Sequence, residues 1–249
     1  FQYRFPERSE LKGHNFGNLF LTALYEVANR DFNLAVELTS KVLAIRGRVI
    51  PSTVENVHLV AEYKDGSRTQ GEARIPRSGV AIGRLFLTPE NARPTNDALE
   101  AIKDADIIIL GPGSLYTSVL PNLIINGIGD AIRASSAFRI YVCNVMTQMG
   151  ETEGFSASDH LKVLIEHAGE GIVDAVLVNA AEISAADALE RYKQENSFPV
   201  LPDIKTIEEM GCRVFSEDIV GVRDYVRHDS AKLTQALIKV IEQNRLIRR

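Results

Sequence analysis

The chain has 249 residues, 45% of them hydrophobic and 24% charged, with 28 Lys plus Arg against 33 Asp plus Glu for a net charge of −5. That balance excludes a disordered chain and argues against a basic nucleic-acid binder. Two cysteines, Cys143 and Cys212, are too few for a disulfide framework or a Cys-rich zinc site, and no apolar run nears the ~20 residues of a membrane span, so a reducing, cytoplasmic setting is expected.

At about 150 residues per domain the length admits one large domain or two small ones. The reading adopted is one α/β domain over 1–249 with a β unit inserted at 48–90. The chain opens at Phe1 rather than Met, and Tyr3, Arg4 and Phe5 read as the tail of an element already under way, so preceding residues are expected. Residues 15–30 carry Phe16, Leu19, Phe20, Ala23, Leu24 and Val27 at helical spacing. Asp31 is placed to cap a second helix that ends near Arg46-Gly47, and the two should pair. Val57, Leu59, Ala61 and Tyr63 then alternate with His58, Val60 and Glu62. Asp65-Gly66 supplies a hairpin turn, a polar strand returns through Arg74, and 83–88 adds a short strand.

From Asn96 the pattern becomes α/β. A helix over 98–105 leads to the apolar run Ile107-Ile108-Ile109-Leu110, of the kind buried on both faces of a parallel sheet. Further strands are expected at 139–143 and 175–178, with a helix between them that Ser158 would cap, and more helices at 185–194, 204–209 and 230–244. Parallel strands put their C-terminal ends on one rim, where ligands bind in open α/β sheets.

The segments after these strands suit that position. After Leu110 come Gly111-Pro112-Gly113-Ser114-Leu115-Tyr116-Thr117-Ser118, in which glycines bring backbone N–H groups close to an anion and hydroxyls stand near a helix start. A phosphate cradle and a tight β–α turn fit these residues equally, and neither a Gly-x-Gly-x-x-Gly nor a Walker loop is present. After Cys143 comes Asn144-Val145-Met146-Thr147-Gln148-Met149-Gly150-Glu151-Thr152-Glu153-Gly154, a long polar loop suited to ribose, base or sugar, and Asn179 would reach the same rim. Gly13-His14-Asn15-Phe16-Gly17-Asn18 opens the first helix, with His14 able to meet a phosphate or move a proton, or merely to lie on the surface beside a capping Asn15. Arg227 could reach a diphosphate, with Ser230 as helix cap, and Tyr192 could stack on a base, although a solvated arginine and a surface helix fit as well. Glu151, Glu153 and Asp159 are the carboxylates available to Mg²⁺, but no set has the spacing of a metal site, and the histidines show no zinc-ligand pattern.

At these same segments the sequence resembles the gluconeogenesis factor proteins of the YvcK type, within the 2-phospho-L-lactate transferase-like (CofD-like) superfamily. The matching residues are 13–18, 111–122, Asn144-Val145-Met146-Thr147-Gln148 with Gly150-Glu151-Thr152, and Ala157-Ser158-Asp159-His160. The resemblance implies a Rossmann-like three-layer α/β sandwich with a mostly parallel sheet. It also implies a regulatory protein that binds a UDP-sugar, notably UDP-N-acetylglucosamine, and links carbon flux during gluconeogenic growth to cell-wall precursors and cell shape. Tyr192 and Arg227 match that branch's UDP-sugar contacts. Family members begin with a glycine-rich first strand and an Asp-Asp-Gly-Gly-Ser-type segment, and neither stands before Phe1 here.

The expected ligand set is therefore His14, Asn15, Asn18, Gly111, Gly113, Ser114, Tyr116, Thr117, Asn144, Thr147, Gln148, Glu151, Tyr192 and Arg227, with His14 the one candidate for catalysis. No metal site and no bound cofactor beyond the UDP-sugar are expected. Expected partners are the nucleotide sugar and a regulatory protein of cell-wall precursor synthesis, with a homo-oligomer plausible and no nucleic acid. The alternative is a transferase of the phospholactyl type that uses a nucleotide-linked donor and Mg²⁺.

Overall fold

The computed structural model of the chain describes residues 3, 5–6, 8–12, 14–183, 190, 192–222 and 225–247, with side chains as far as 245. They fall into two compact units, one of residues 1–55 with 94–98 and one of residues 56–93 with 99–249.

The first unit is a helical pair, α1 (Phe16–Val27) and α2 (Phe32–Val42). Each is capped by the residue the sequence offers: Asn15 Oδ1 accepts the Gly17 N–H and Asp31 Oδ1 the Leu34 N–H. Tyr25 meets Phe32 edge-on across the connection. α2 stops short of Arg46-Gly47 because Ala44 already takes a left-handed conformation, φ 48°. The Ser52 carbonyl accepts the Thr95 N–H and the Pro51 carbonyl accepts Thr95 Oγ1, tying 51–52 to the 94–98 segment.

The second unit opens with an antiparallel sheet in the order β2-β1-β3, where β1 is His58–Tyr63, β2 Arg68–Gln70 and β3 Ile82–Thr88. Asp65-Gly66 makes the turn: Gly66 has φ 82°, and Asp65 Oδ1 accepts from both the backbone and the hydroxyl of Ser67. The return strand ends at Gln70 rather than at Arg74, since the chain turns there and forms a 3₁₀ turn at Ile75–Arg77. Val60, expected among the outward residues, is buried together with its neighbours Leu59 and Ala61.

α3 (Asn96–Lys103) leads into a parallel sheet ordered β4-β5-β6-β7: Ile107–Leu110, Phe138–Val142, Ala175–Asn179 and Arg213–Glu217. The sequence pattern does not announce the fourth strand, because Arg213, Ser216 and Glu217 break its apolar signal. Ile109 is 41% exposed, against the expectation of a strand covered on both faces, because β4 is an outermost strand of this sheet. The link from β4 to β5 is broken into a π-helical turn (Leu115–Val119), α4 (Leu120–Leu123) and α5 (Ile128–Ala134), with Gly127 in a left-handed conformation before α5.

α6 (Ala157–Ala168) joins β5 to β6, and α7 (Ile204–Glu209) precedes β7. The cap of α6 is Ser156, not Ser158: Ser156 and Asp159 form a reciprocal capping box, and Ser158 lies inside the first turn. The helix expected at 185–194 falls largely outside the described residues. A short antiparallel pair, β8 (Val220–Val222) and β9 (Val226–His228), leads into α8 (Ser230–Ile247). Asp229 rather than Ser230 caps α8, its Oδ1 accepting the N–H groups of Ala231 and Lys232.

Strand periodicity divides the core. Phe138, Ile140, Val142, Ala175 and Leu177 pack with Ile219, Val220 and Val226 around β8–β9 and with Leu233, Ala236 and Val240 of α8. Below the rim, Arg139 holds Asp174 through two guanidinium nitrogens, at 2.9 and 2.7 Å.

Candidate functional site

The C-terminal rim of β4 and β5 carries two loops joined to each other by side chains. Gly111 ends β4 with φ 90°, and a Cβ there would stand 3.2 Å from the Val142 carbonyl; at Gly113 a Cβ would stand 3.1 Å from Ser118 Cβ. Both glycines are thus required by a tight turn against the end of β5, and the same turn brings Ser114 and Thr117 to face the loop after β5. Gln148 Nε2 donates to Ser114 Oγ at 2.8 Å, and Thr117 Oγ1 donates to Glu151 Oε1 at 3.0 Å. Asn144 Nδ2 reaches Gln148 Oε1 at 3.4 Å. The structure therefore gathers Gly111, Gly113, Ser114, Thr117, Asn144, Gln148 and Glu151 into one rim.

The other expected residues stand differently. Tyr116 points into the core at 2% exposure, edge-on to Phe155 and His167, and burial pushes its hydroxyl well above the usual phenol range. Thr147 is also buried; it exchanges hydrogen bonds with Phe198, donating its N–H to the Phe198 carbonyl and accepting the Phe198 N–H on Oγ1, which anchors the 197–199 segment to the loop. Asn179 turns its own backbone, taking the N–H groups of Ala181 and Ile219 on Oδ1. Tyr192 donates its hydroxyl to the Val226 carbonyl at 3.0 Å, and burial raises its pKa. Arg227 is exposed and lies over the Tyr225 ring at 5.3 Å. Its neighbour His228 brings Nε2 to within 3.1 Å of the Cys143 carbonyl, just below the rim. His14 and Asn18 are exposed and belong to the first unit with Asn15, which is spent on capping α1; Gly13 lies outside the described residues.

The first turn of α6 is not available to an anion. Asp203 fills it, accepting the Ser158 N–H at 2.9 Å and the Ser158 hydroxyl at 2.5 Å, while Ser156 and Asp159 cap each other. Burial works against the charge of Asp203, but the bonds from Ser158 outweigh it and hold the carboxyl below its usual value. The capping box could have been read from Ser156-x-x-Asp159; the part played by Asp203, 45 residues away from Ser158, carries no local signal.

The carboxylates considered for Mg²⁺ do not converge. Asp159 belongs to the cap, Glu151 is bonded to Thr117, and Glu153 accepts from Asn196. Among the described residues no group of three or more His, Cys, Asp or Glu is placed together.

Residues 1–220 match the family model of the 2-phospho-L-lactate transferase CofD. The chain belongs to the CofD family. Within it, the similar curated proteins are gluconeogenesis factors, as the sequence motifs implied. The protein so named from Halalkalibacterium halodurans is 43% identical over 241 residues, which is 96% of this chain and 74% of that protein. The one from Bacillus subtilis is 43% identical over 245 residues, 98% of this chain and 76% of its own. The crystal structure of protein BH3568 from Bacillus halodurans superposes with a TM-score of 0.89 at 42% identity, covering 95% of this chain and 76% of that one. This CofD-family chain therefore has the Rossmann-like α/β fold expected of it. Among its described residues no helix is long and apolar enough to cross a membrane.

Proposed function

We propose that the chain binds a nucleotide sugar of the UDP class, with UDP-N-acetylglucosamine the first candidate, at the rim of β4 and β5, and that it acts as a regulator. In this reading it couples cell-wall precursor supply and cell shape to growth on gluconeogenic carbon, through a protein partner in precursor synthesis. The observation that carries it is the pair of polar loops bridged by Gln148–Ser114 and Thr117–Glu151, in a chain 43% identical to proteins named gluconeogenesis factor. Three of the four histidines of the second unit favour binding over proton transfer. His160, His167 and His228 each spend a ring nitrogen on a backbone carbonyl, and burial lowers all three pKa values.

Thermal unfolding with UDP-N-acetylglucosamine, UDP-glucose, UDP and GDP tests this. At ~100 times the dissociation constant, linkage gives about 2.7 kcal/mol and a midpoint rise of roughly 5–10 °C. A rise confined to uridine ligands supports the reading, and none sinks it. Arg227→Ala should weaken uridine ligands about tenfold, the worth of one charge-assisted hydrogen bond; unchanged calorimetric affinity would remove Arg227 from the site.

A second reading, a transferase of the phospholactyl type, is favoured by the description of the matching family model. In it His14 or a rim carboxylate assists proton transfer. Product from a GDP-linked phospholactyl donor and a deazaflavin acceptor would establish it; no product beside an active control enzyme would dismiss it.

A further inference from the structure

The 111–118 turn has the composition of a phosphate seat, yet the anion at its Thr117 end is the protein's own. Glu151 Oε1 accepts the Thr117 hydroxyl, and the carboxyl also faces the backbone N–H groups of Tyr116 and Thr117. The residue is only 7% exposed. Its position is fixed from behind, because Gly150 runs so close to the 3₁₀ turn of the small sheet that a Cβ would fall 1.8 Å from the Pro76 carbonyl oxygen.

The second carboxyl oxygen, Oε2, is buried without a hydrogen-bond partner, and so is Asn144 Oδ1 at the far end of the Gln148 bridge. As the amide is oriented, both are acceptors. A phosphate offers only acceptors and further negative charge, so it satisfies neither and is repelled by the carboxyl beside it. A hydroxyl or an amide N–H can satisfy either one.

We infer that Glu151, seconded by Asn144, is a specificity-determining residue that reads a hydrogen-bond donor on the ligand, a hydroxyl or N–H of its sugar, and bars phosphate from the Thr117 end of the turn. The inference rests on the nucleotide-sugar reading above and assigns the polarity of its site. The contacts that yield to admit the donor are side-chain bonds, Gln148 to Ser114 and Gln148 to Asn144, rather than a backbone ladder. Burial raises the pKa of Glu151 and the charge of Glu72 pushes the same way, while the hydrogen bonds from Thr117 and Tyr116 work to keep its charge.

Calorimetry on the full chain, wild type and Glu151→Gln, with UDP-N-acetylglucosamine, UDP and inorganic diphosphate tests the inference. In the variant the donors of Tyr116 and Thr117 keep the amide oxygen at the Oε1 position, so an NH₂ replaces Oε2 and an acceptor becomes a donor. Wild type should prefer the sugar nucleotide to UDP by about tenfold, and the variant should lose most of that preference through weaker binding of the sugar nucleotide, while inorganic diphosphate, no longer facing a carboxylate, binds it more tightly. An unchanged preference overturns the inference. A variant that keeps its full affinity for the sugar nucleotide while diphosphate or UDP binds more tightly overturns it too, showing the carboxylate to be no more than a plug in a phosphate seat. If wild type binds no uridine ligand, the functional reading falls and this inference with it. Should the variant fail to fold, wild type is titrated with the same sugar nucleotide O-methylated at its sugar hydroxyls. Affinity reduced to that of UDP supports the inference, and full retention overturns it.

Discussion

The two units differ in how they spend their apolar residues. In the first, the apolar stripe of α1 contains no buried residue and α2 buries only Ala35; Phe16 is 41% exposed, Leu34 40% and Val27 70%. In the second, Ile140, Val142, Ala175 and Leu177 are wholly buried between their neighbours. Both patterns are plain in the sequence as periodicity. Periodicity states which face of an element is apolar, however, and not how much of that face the fold covers. Stability should therefore be concentrated in the second unit, and substitutions can test that division.

The largest difference should come from truncating one apolar side chain in each unit. Leu177→Ala, in the middle of the parallel sheet, should cost about 2–5 kcal/mol, whereas Val27→Ala should stay within about 0.5 kcal/mol. Chemical denaturation of the two variants decides it, and equal losses would erase the contrast.

Acid should act on the second unit next. Burial holds His160, His167 and His228 below the ordinary imidazole value of 6.5. The unfolded chain then takes up protons that the folded one refuses. The stability these groups contribute is whole above 6.5 and drains away as pH falls through their folded values. His167 is the sharpest case, since its Nδ1 meets the Val163 carbonyl while its Nε2 accepts the Leu85 N–H of β3 at 3.1 Å; protonation turns that acceptor into a second donor. Urea midpoints at about pH 7.5 and about pH 5 should differ, and His167→Gln should shrink the difference. An unmoved midpoint would mean that these rings are not held neutral.

The smallest effects belong to the caps of the first unit. Asn15→Ala and Asp31→Ala should each cost about 1 kcal/mol of local helix stability, read as faster amide exchange in α1 or α2 with the denaturation midpoint of the parallel sheet unchanged.

Much of the fold is legible because its signals are local: the Asp65-Gly66 turn, the caps Asn15 and Asp31, and the apolar strands. The features that escape a sequence reading depend on partners distant in the chain. β7 carries Arg213 and Glu217 because its side chains find Asn244 and Lys239 on α8, and no short window of sequence shows that. The site is legible as two loops after two strands. Its polarity is not, because glycines and hydroxyls in the 111–118 turn suit an anion of either origin, and only the fold shows Glu151 delivered there from the next loop.

Both cysteines of the chain are buried. The Cys143 thiol, at the end of β5, is pushed up to about 12 by burial, and that of Cys212, just before β7, is raised for the same reason. An alkylating reagent consumes thiolate, so it finds almost none on Cys143 while the second unit stays closed. The molecule thus carries a built-in clock: the slow appearance of labelled cysteine counts openings of the parallel sheet and is blind to the helical pair.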